Sequence, residues 1–458
     1  MRRYHIAHRI MIWKIFFVAL AIRWSYAALM FALMGDAGLQ GVDSIGYLEN
    51  ARNFAAQIVS GSVSGLQWLG PLSYAMPLFH WLISLCALLF GAWTPFAYVL
   101  IQGVFDAATC LLICGLARTL NEDYAVPAGI AATFNPTQIV LSGLVFTDTP
   151  FLFFTTLFLL GAARWLRAPA WQWAVLIGIG LGAATLTRAL AAPFAPVILL
   201  FLLASCAIGK RLSPRLIAHL AGAATIFSLC IAPVLWRNVS QFGTWALTPQ
   251  SGMHLALWVV PLVKEVHDGT PTARTNEDIQ RRETERFPTP AADLFEQSRR
   301  YSSVAREELT ALGVGAMAKA WLTGAAINLA SPAIILSPPI SGLPRIGFYA
   351  TPGGSPFNKV RNFLFHSDNS KYVWILLSGI AGVIAARLVQ FFGFVALLRQ
   401  PRNLPVLCLF GVWTVFVLMA NGPVASPKYR LPIEPALMVL TGGALRALLR
   451  RGTKVKIV

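Results

Sequence analysis

The sequence is poor in charge. Only 12% of its 458 residues are Asp, Glu, Lys or Arg, about half of the roughly 25% usual in a soluble domain, and that shortage excludes an ordinary water-soluble globule. Acids are scarcer still, 19 against 37 Lys and Arg. The six cysteines, Cys86, Cys110, Cys114, Cys206, Cys230 and Cys408, all lie in apolar segments. Cys110 and Cys114 share a helix face, but no histidine or second Cys pair accompanies them, so the spacing lacks the signature of a metal site. They read as small packing residues. No small-residue cleavage site follows the basic residues 1–9, so the apolar run behind them reads as a retained first span. No internal repeat is visible.

Apolar residues make up 56% of the chain. They recur in runs of about 20, the length needed to cross a bilayer. The net charge of +18 raises the question of nucleic acid. The bases, however, sit in short clusters between apolar runs, as the positive-inside rule requires, and that excludes nucleic acid as the partner. The clusters are Arg2/Arg3/Arg9, Arg118, Arg164/Arg167, Lys210/Arg211/Arg215, Arg399/Arg402 and Arg446/Arg450/Arg451/Lys454/Lys456. Spans at 10–34, 95–118, 125–146, 149–166, 172–188, 190–209, 215–236, 371–398, 405–421 and 431–449 return every cluster to the cytoplasm, with both termini inside. That parity requires 75–91 and 313–336 to make no net crossing. The expected fold is therefore an all-α integral membrane protein of about ten transmembrane helices. It adds outer-face surface helices and one mixed helical and irregular outer loop region.

Three parts follow: an N-terminal transmembrane module over 1–236 with an outer loop at 35–94, a large outer loop region over 237–370, and C-terminal transmembrane helices with a basic tail over 371–458. The stretch 264–308 holds ten of the nineteen acids. Its helical charge spacing (Glu277, Arg281, Glu285; Glu296, Arg300) reads as a solvated face. Each of the remaining nine acids needs a reason.

Asp43 opens an amphipathic stretch, with Tyr47, Ala51 and Phe54/Ala55 at helical intervals, that should lie on the outer surface. As its N-cap, Asp43 would be favoured by free amides and the helix dipole. Asp36 is the local competitor, but Gly-rich loop follows it. Asp148 lies between two apolar runs with almost no loop, where a carboxylate needs water or a partner; Thr147-Asp148-Thr149-Pro150 also suits a helix start. For both acids a capping and a functional reading stand side by side, and both fall on one face of the membrane. Arg188, Arg237, Lys428 and Arg430 share that face. Each can snorkel to headgroups, yet together they break the positive-inside trend, and clustered cations suit a phosphate or pyrophosphate. Arg23 and Asp106 lie deeper and either pair or line a cavity. His80 and His254 are outer-face histidines.

The layout resembles the GT-C glycosyltransferases, in particular the bacterial branch related to protein O-mannosyltransferases and to the aminoarabinose transferase of lipid A. The resemblance runs along almost the whole chain. It rests on the Asp43-x3-Tyr47 start of the first outer loop, Pro77-Leu78-Phe79-His80-Trp81, Asp148-Thr149-Pro150 and Leu186-Thr187-Arg188. Further on come Trp236-Arg237-Asn238 with Gly243, then Tyr429-Arg430-Leu431-Pro432 with Glu434-Pro435. Each motif is weak alone; their order and placement are specific together. The resemblance implies an enzyme that takes a sugar from a polyprenyl-phosphate carrier at the outer face of a bacterial inner membrane. It passes the sugar, with inversion, to a lipid, glycan or protein acceptor. Asp43 would be the catalytic base. Asp148 would hold acceptor or sugar, or a divalent cation jointly with Asp43. Arg188, Arg237, Lys428 and Arg430 would bind and stabilise the donor phosphate, and Tyr47, His80, Asn238 and Tyr429 would contact substrate. No cofactor is required, although a divalent cation is compatible. The metal-binding acid that some relatives carry before the Pro-rich stretch is absent here, where Ser73-Tyr74-Ala75-Met76 precede Pro77.

Two other classes compete with this reading. A transporter or flippase of lipid-linked sugars calls for repeated halves and ionisable groups near the midplane, whereas the acids here gather at the outer ends. A non-catalytic envelope-assembly scaffold is contradicted by no motif.

Overall fold

The computed structural model describes residues 2–70, 76–346, 351–352 and 356–454. No strand occurs among them. In hydrocarbon every backbone N–H and C=O must be satisfied within its own segment, and a helix does so. Helix α1 (Arg2–Met34) leads to α2 (Ser44–Val59) and α3 (Pro77–Phe90), and α4 (Thr94–Arg118) follows after a tight turn. Two short helices, α5 (Ala125–Thr133) and α6 (Pro136–Ser142), precede α7 (Asp148–Arg167), α8 (Trp171–Thr187), α9 (Phe194–Ile208) and α10 (Pro214–Phe242). Next come α11 (Gln250–His254), α12 (Val260–Asp268), α13 (Thr272–Arg286) and the long α14 (Leu294–Ala330). The small α15 (Pro338–Ser341) and α16 (Pro356–Leu364) lead to α17 (Ser370–Leu398), α18 (Leu404–Asn421) and α19 (Glu434–Lys454). Among the described residues, nine helical segments are long and apolar enough to cross a membrane, with Pro77–Arg118 taken as one and Leu294–Ala330 included. Trp171–Thr187 is a shorter apolar helix. The protein is an all-α integral membrane protein.

Glycine brings the N-terminal helices together. A Cβ at Gly180 would come within 2.7 Å of the Phe158 nitrogen, and one at Gly178 within 2.7 Å of the Ala223 carbonyl oxygen. α8 therefore lies flush on α7 and α10, as small residues permit where lipid leaves no hydrophobic drive between helices. Trp165, Trp413, Phe158 and Phe194 are wholly buried in the main core.

The clusters at Arg118, Arg164/Arg167, Arg399/Arg402 and Arg446 gather at one end. Arg167 donates through Nε to the Thr119 carbonyl at 2.7 Å and through a terminal nitrogen to Asn403 Oδ1 at 2.9 Å. Arg446 meets Asp123 at 3.1 Å. The turns after α4, α7 and α17 thus converge, and Asp43, Asp148, Arg188 and Lys428 lie at the other end.

The expected span 125–146 is not one helix. Pro136 has no N–H, so the Ala132 carbonyl loses its helical donor, and the Thr137 amide turns instead to Asn135 Oδ1 at 2.9 Å, which frees the Thr133 carbonyl. The Ala132 carbonyl takes the Asn135 amide at 3.2 Å instead; Arg23 donates to it as well, at 2.9 Å, and to the freed Thr133 carbonyl. Its Nε pairs with Asp106 at 2.6 Å, both side chains 1% exposed, and Gln138 Nε2 donates to the second Asp106 oxygen at 3.0 Å. Of the two readings open for Arg23 and Asp106, the structure takes pairing.

The last helix also begins later than the expected 431–449. It starts at Glu434 behind a 3-10 helix, Pro427–Ile433. The fully buried Arg430 holds that turn through Glu434 Oε1 at 2.7 Å and through the carbonyls of Asn328 and Ser331 at 3.0 and 2.7 Å. Those carbonyls belong to the end of α14, where a cation satisfies orphan acceptors. α14 breaks at Gly313 (φ 79°). Its second part descends until the Leu329 carbonyl reaches Arg387 in α17 at 3.3 Å. The chain then returns, and Ile335, Ile340 and Leu343 pack on Tyr372 and Val373 at the start of α17. α3, at 14 residues, is about 21 Å long, short of the roughly 30 Å hydrocarbon core.

Candidate active site

Ser44 fixes the start of α2: its hydroxyl donates to the Val145 carbonyl at 2.8 Å and accepts from the Gly41 amide at 2.9 Å. Asp43 occupies the N-cap position, yet its side chain makes no capping bond. The carboxylate points instead to Lys428, whose Nζ lies 2.7 Å from Oδ2. This is a correction to the capping expectation, and its reason is plain: an ammonium outbids neutral amides for a carboxylate. Lys428 sits on the turn that Arg430 anchors, 5.2 Å over Phe146 and 5.4 Å over Tyr429.

Asp148 is the first residue of α7 and is 4% exposed. Arg188, in extended backbone where α8 ends, donates to its Oδ1 at 2.5 Å and lies 5.6 Å over the Phe151 ring. Phe151 is one turn along from Asp148, so a single helix supplies both the carboxylate and the aromatic bed of its cation.

Tyr47, one turn into α2 beyond Asp43, joins the two pairs. Burial pushes its hydroxyl up to about 12; Asp43 and Asp148 add to the rise, and Arg188 and Lys428 oppose it. All four charges therefore act on one phenol, which stays a neutral donor. His254, at the end of α11, is held below its ordinary value by burial and then by the charge of Arg188.

Asp43, Tyr47, Asp148, Arg188, Lys428 and Tyr429 thus form one group. The other expected residues lie elsewhere. Arg237 donates to the Gly70 carbonyl and to Asn238 Oδ1, each at 3.1 Å, and Asn238 Nδ2 donates to the Ala246 carbonyl at 2.8 Å. These bonds tie down the chain that follows α10 and the segment that precedes α3. His80 is wholly buried on α3, against Gly70. Arg430 belongs to the α14 end and Glu434. Phe146 and Phe151 were missed in the sequence; their only signal is closeness to Asp148.

Ser73, Tyr74 and Ala75, where relatives carry a metal-binding acid, lie outside the described residues. Among the described residues no group of three or more His, Cys, Asp or Glu is placed to hold a metal. Hard divalent ions take about six oxygen ligands, and the two carboxylates here each face a protein cation. The donor set among the described residues does not fit a resident metal.

A family model described as dolichyl-phosphate-mannose-protein mannosyltransferase matches residues 73–236, the stretch that carries Asp148 and Arg188. The archaeal oligosaccharyltransferase AglB from Archaeoglobus fulgidus, solved with an inhibitory peptide and a dolichol-phosphate, aligns with a TM-score of 0.53 at 15% identity, over 98% of this chain and 52% of that one. The same organism's oligosaccharyltransferase, tethered to an acceptor peptide, aligns with a TM-score of 0.54 at 15% identity, over 97% and 50%. The chain shares the fold of these oligosaccharyltransferases. It spans about half the length of those structures. ArnT from Cupriavidus metallidurans bound to undecaprenyl phosphate gives a TM-score of 0.37 at 16% identity, over 97% and 78%. No curated protein matches the sequence.

Proposed function

We propose that this chain is an inverting glycosyltransferase that moves a sugar from a polyprenyl-phosphate donor to a hydroxyl or amine of an envelope lipid, glycan or protein. The observation that carries the reading is the pairing of Asp43 with Lys428 and of Asp148 with Arg188 around Tyr47, at one end of a GT-C fold. The dolichol-phosphate and acceptor peptides of the archaeal oligosaccharyltransferase structures support a lipid-phosphate donor and a separate acceptor.

The two carboxylates differ in access, 44% exposed for Asp43 and 4% for Asp148, and we divide their roles accordingly. Asp43 is the base and Asp148 orients Arg188. An arriving phosphate takes the ammonium of Lys428 and frees the Asp43 carboxylate. The acceptor heteroatom then bonds to the anomeric carbon, the bond from that carbon to phosphate oxygen breaks, and the acceptor proton passes to Asp43. The donor phosphate gains a second negative charge as it leaves, and Lys428 and Arg188 stabilise it. A lipid head must meet cations while its tail stays in hydrocarbon, which suits a site at membrane level. The basic clusters at the opposite end support a bacterial inner-membrane orientation with cytoplasmic termini and the site toward the periplasm.

The test is release of polyprenyl phosphate by reconstituted protein supplied with donor and acceptor. D43N should lower turnover by roughly 10²–10⁴-fold, the range of a lost general base. Undiminished turnover in D43N would overturn the assignment, and movement of intact donor across vesicles without consumption would favour a transporter.

A further inference from the structure

A second polar cavity, of about 520 Å³, lies at the opposite end of the bundle. Arg118, Asn121, Glu122, Arg167 and Arg402 line it, where the turns after α4, α7 and α17 meet. Three guanidiniums face one carboxylate there, and Arg118 already holds that carboxylate at 2.8 Å. Arg167 is fixed across the cavity floor by the Thr119 carbonyl and Asn403. Arg402 is exposed and has a bond of 3.3 Å to Gln400. Arg167 also donates to the Arg402 carbonyl, and the exposed Arg402 keeps guanidinium donors beyond its bond to Gln400. Preorganised guanidiniums with donors left over match the oxygens of a phosphate.

The surroundings point to a lipid as the source of that phosphate. Leu398 and Leu404, at the ends of the two helices that Arg402 links, are 41% and 50% exposed. Exposed leucines that flank Arg402 in the chain, next to a basic pocket, suit a headgroup with its tails in the bilayer; a soluble anion has no use for them. We infer that this cavity binds the phosphate of an anionic phospholipid in the leaflet facing this end, with acyl chains along Leu398 and Leu404. The inference shares no residue with the acid–cation pairs and does not depend on the transferase reading.

The test is the thermal midpoint of the full chain in neutral detergent, with phosphatidylglycerol, phosphatidylcholine or inorganic phosphate added. Phosphatidylglycerol should raise the midpoint beyond phosphatidylcholine. R402Q and then R118Q/R402Q should shrink that shift, each lost guanidinium weakening apparent affinity about fivefold, with turnover retained. R402Q alone suffices if the double variant fails to fold, because Arg402 is exposed. An equal phosphatidylglycerol shift in wild type and R402Q, or no preference over phosphatidylcholine, would overturn the site. Inorganic phosphate reproducing the full shift would overturn the lipid assignment in favour of a free anion.

Discussion

At the scale of single residues, the account turns on what each cation is holding. Lys428 is 18% exposed and bonded to Asp43, so it can be exchanged to an incoming phosphate. Arg430, two residues on, is buried with backbone carbonyls and Glu434 as partners. K428Q should therefore raise the donor KM by about tenfold, as a lost charged hydrogen bond does, with a smaller fall in kcat; steady-state kinetics with varied donor checks this, and an unchanged KM contradicts it. His254 supplies a pH test. Its folded value lies below the ordinary 6.5, so below about pH 6.5 the unfolded chain binds a proton that the folded chain resists. Stability should then fall as pH drops through that range. H254Q should flatten the dependence, measured as thermal midpoint between pH 5 and 8. The members of the site were legible in the sequence because opposite charges are rare in an apolar chain. Their pairing was not: Asp43 and Lys428 are 385 residues apart, and no local pattern reports such a contact. Nor does sequence distinguish Lys428 from Arg430 or Arg237, which have the same outward placement but take backbone carbonyls as partners.

At the scale of elements, the apolar run over 125–146 shows the limit of hydropathy. Its length fits a single span, but Pro136 deletes one amide, and the resulting break frees the Thr133 carbonyl and leaves Ala132 only a short turn bond, both at the level of Arg23. A charge on α1 thereby became part of the α5–α6 junction, with Asp106 neutralising it. R23L should strand a buried carboxylate and cost roughly 3–5 kcal/mol, whereas R23L/D106L should recover most of that loss. Denaturation of the three proteins in detergent measures the cycle; additive losses would show that the ion pair is not the reason for either residue. The helix α2 was readable from its spacing, with Asp43 at its N-cap position. Of the two readings open for Asp43, sequence could not show that its carboxylate leaves the cap amides for Lys428, which arrives from a distant turn.

At the scale of the whole molecule, charge placement organises both ends. Basic clusters converge at one end through Arg167, Asn403, Asp123 and Arg446, and Asp43 and Asp148 meet Lys428 and Arg188 at the other. In α14 Arg300 pairs with Glu296 at 2.6 Å as the spacing implied, whereas in α13 Arg281 takes Asp278 at 2.9 Å, with Glu285 at 3.8 Å. α14 also pairs with α12, through Glu308 and Lys264 at 2.5 Å, which periodicity cannot foretell. Sidedness follows from the same argument. A cysteine placed at Thr289 should react with a membrane-impermeant maleimide in intact cells, and one placed at Arg402 only after lysis. The reverse pattern would invert the topology and move the site to the cytoplasm.

The most direct measurement is single-turnover transfer by D43N preloaded with polyprenyl-phosphate sugar. The account predicts that donor still binds, because Lys428 and Arg188 remain, while formation of glycosylated acceptor slows by at least about 100-fold. Transfer at the wild-type rate from the preloaded variant would contradict the role of Asp43 as the base.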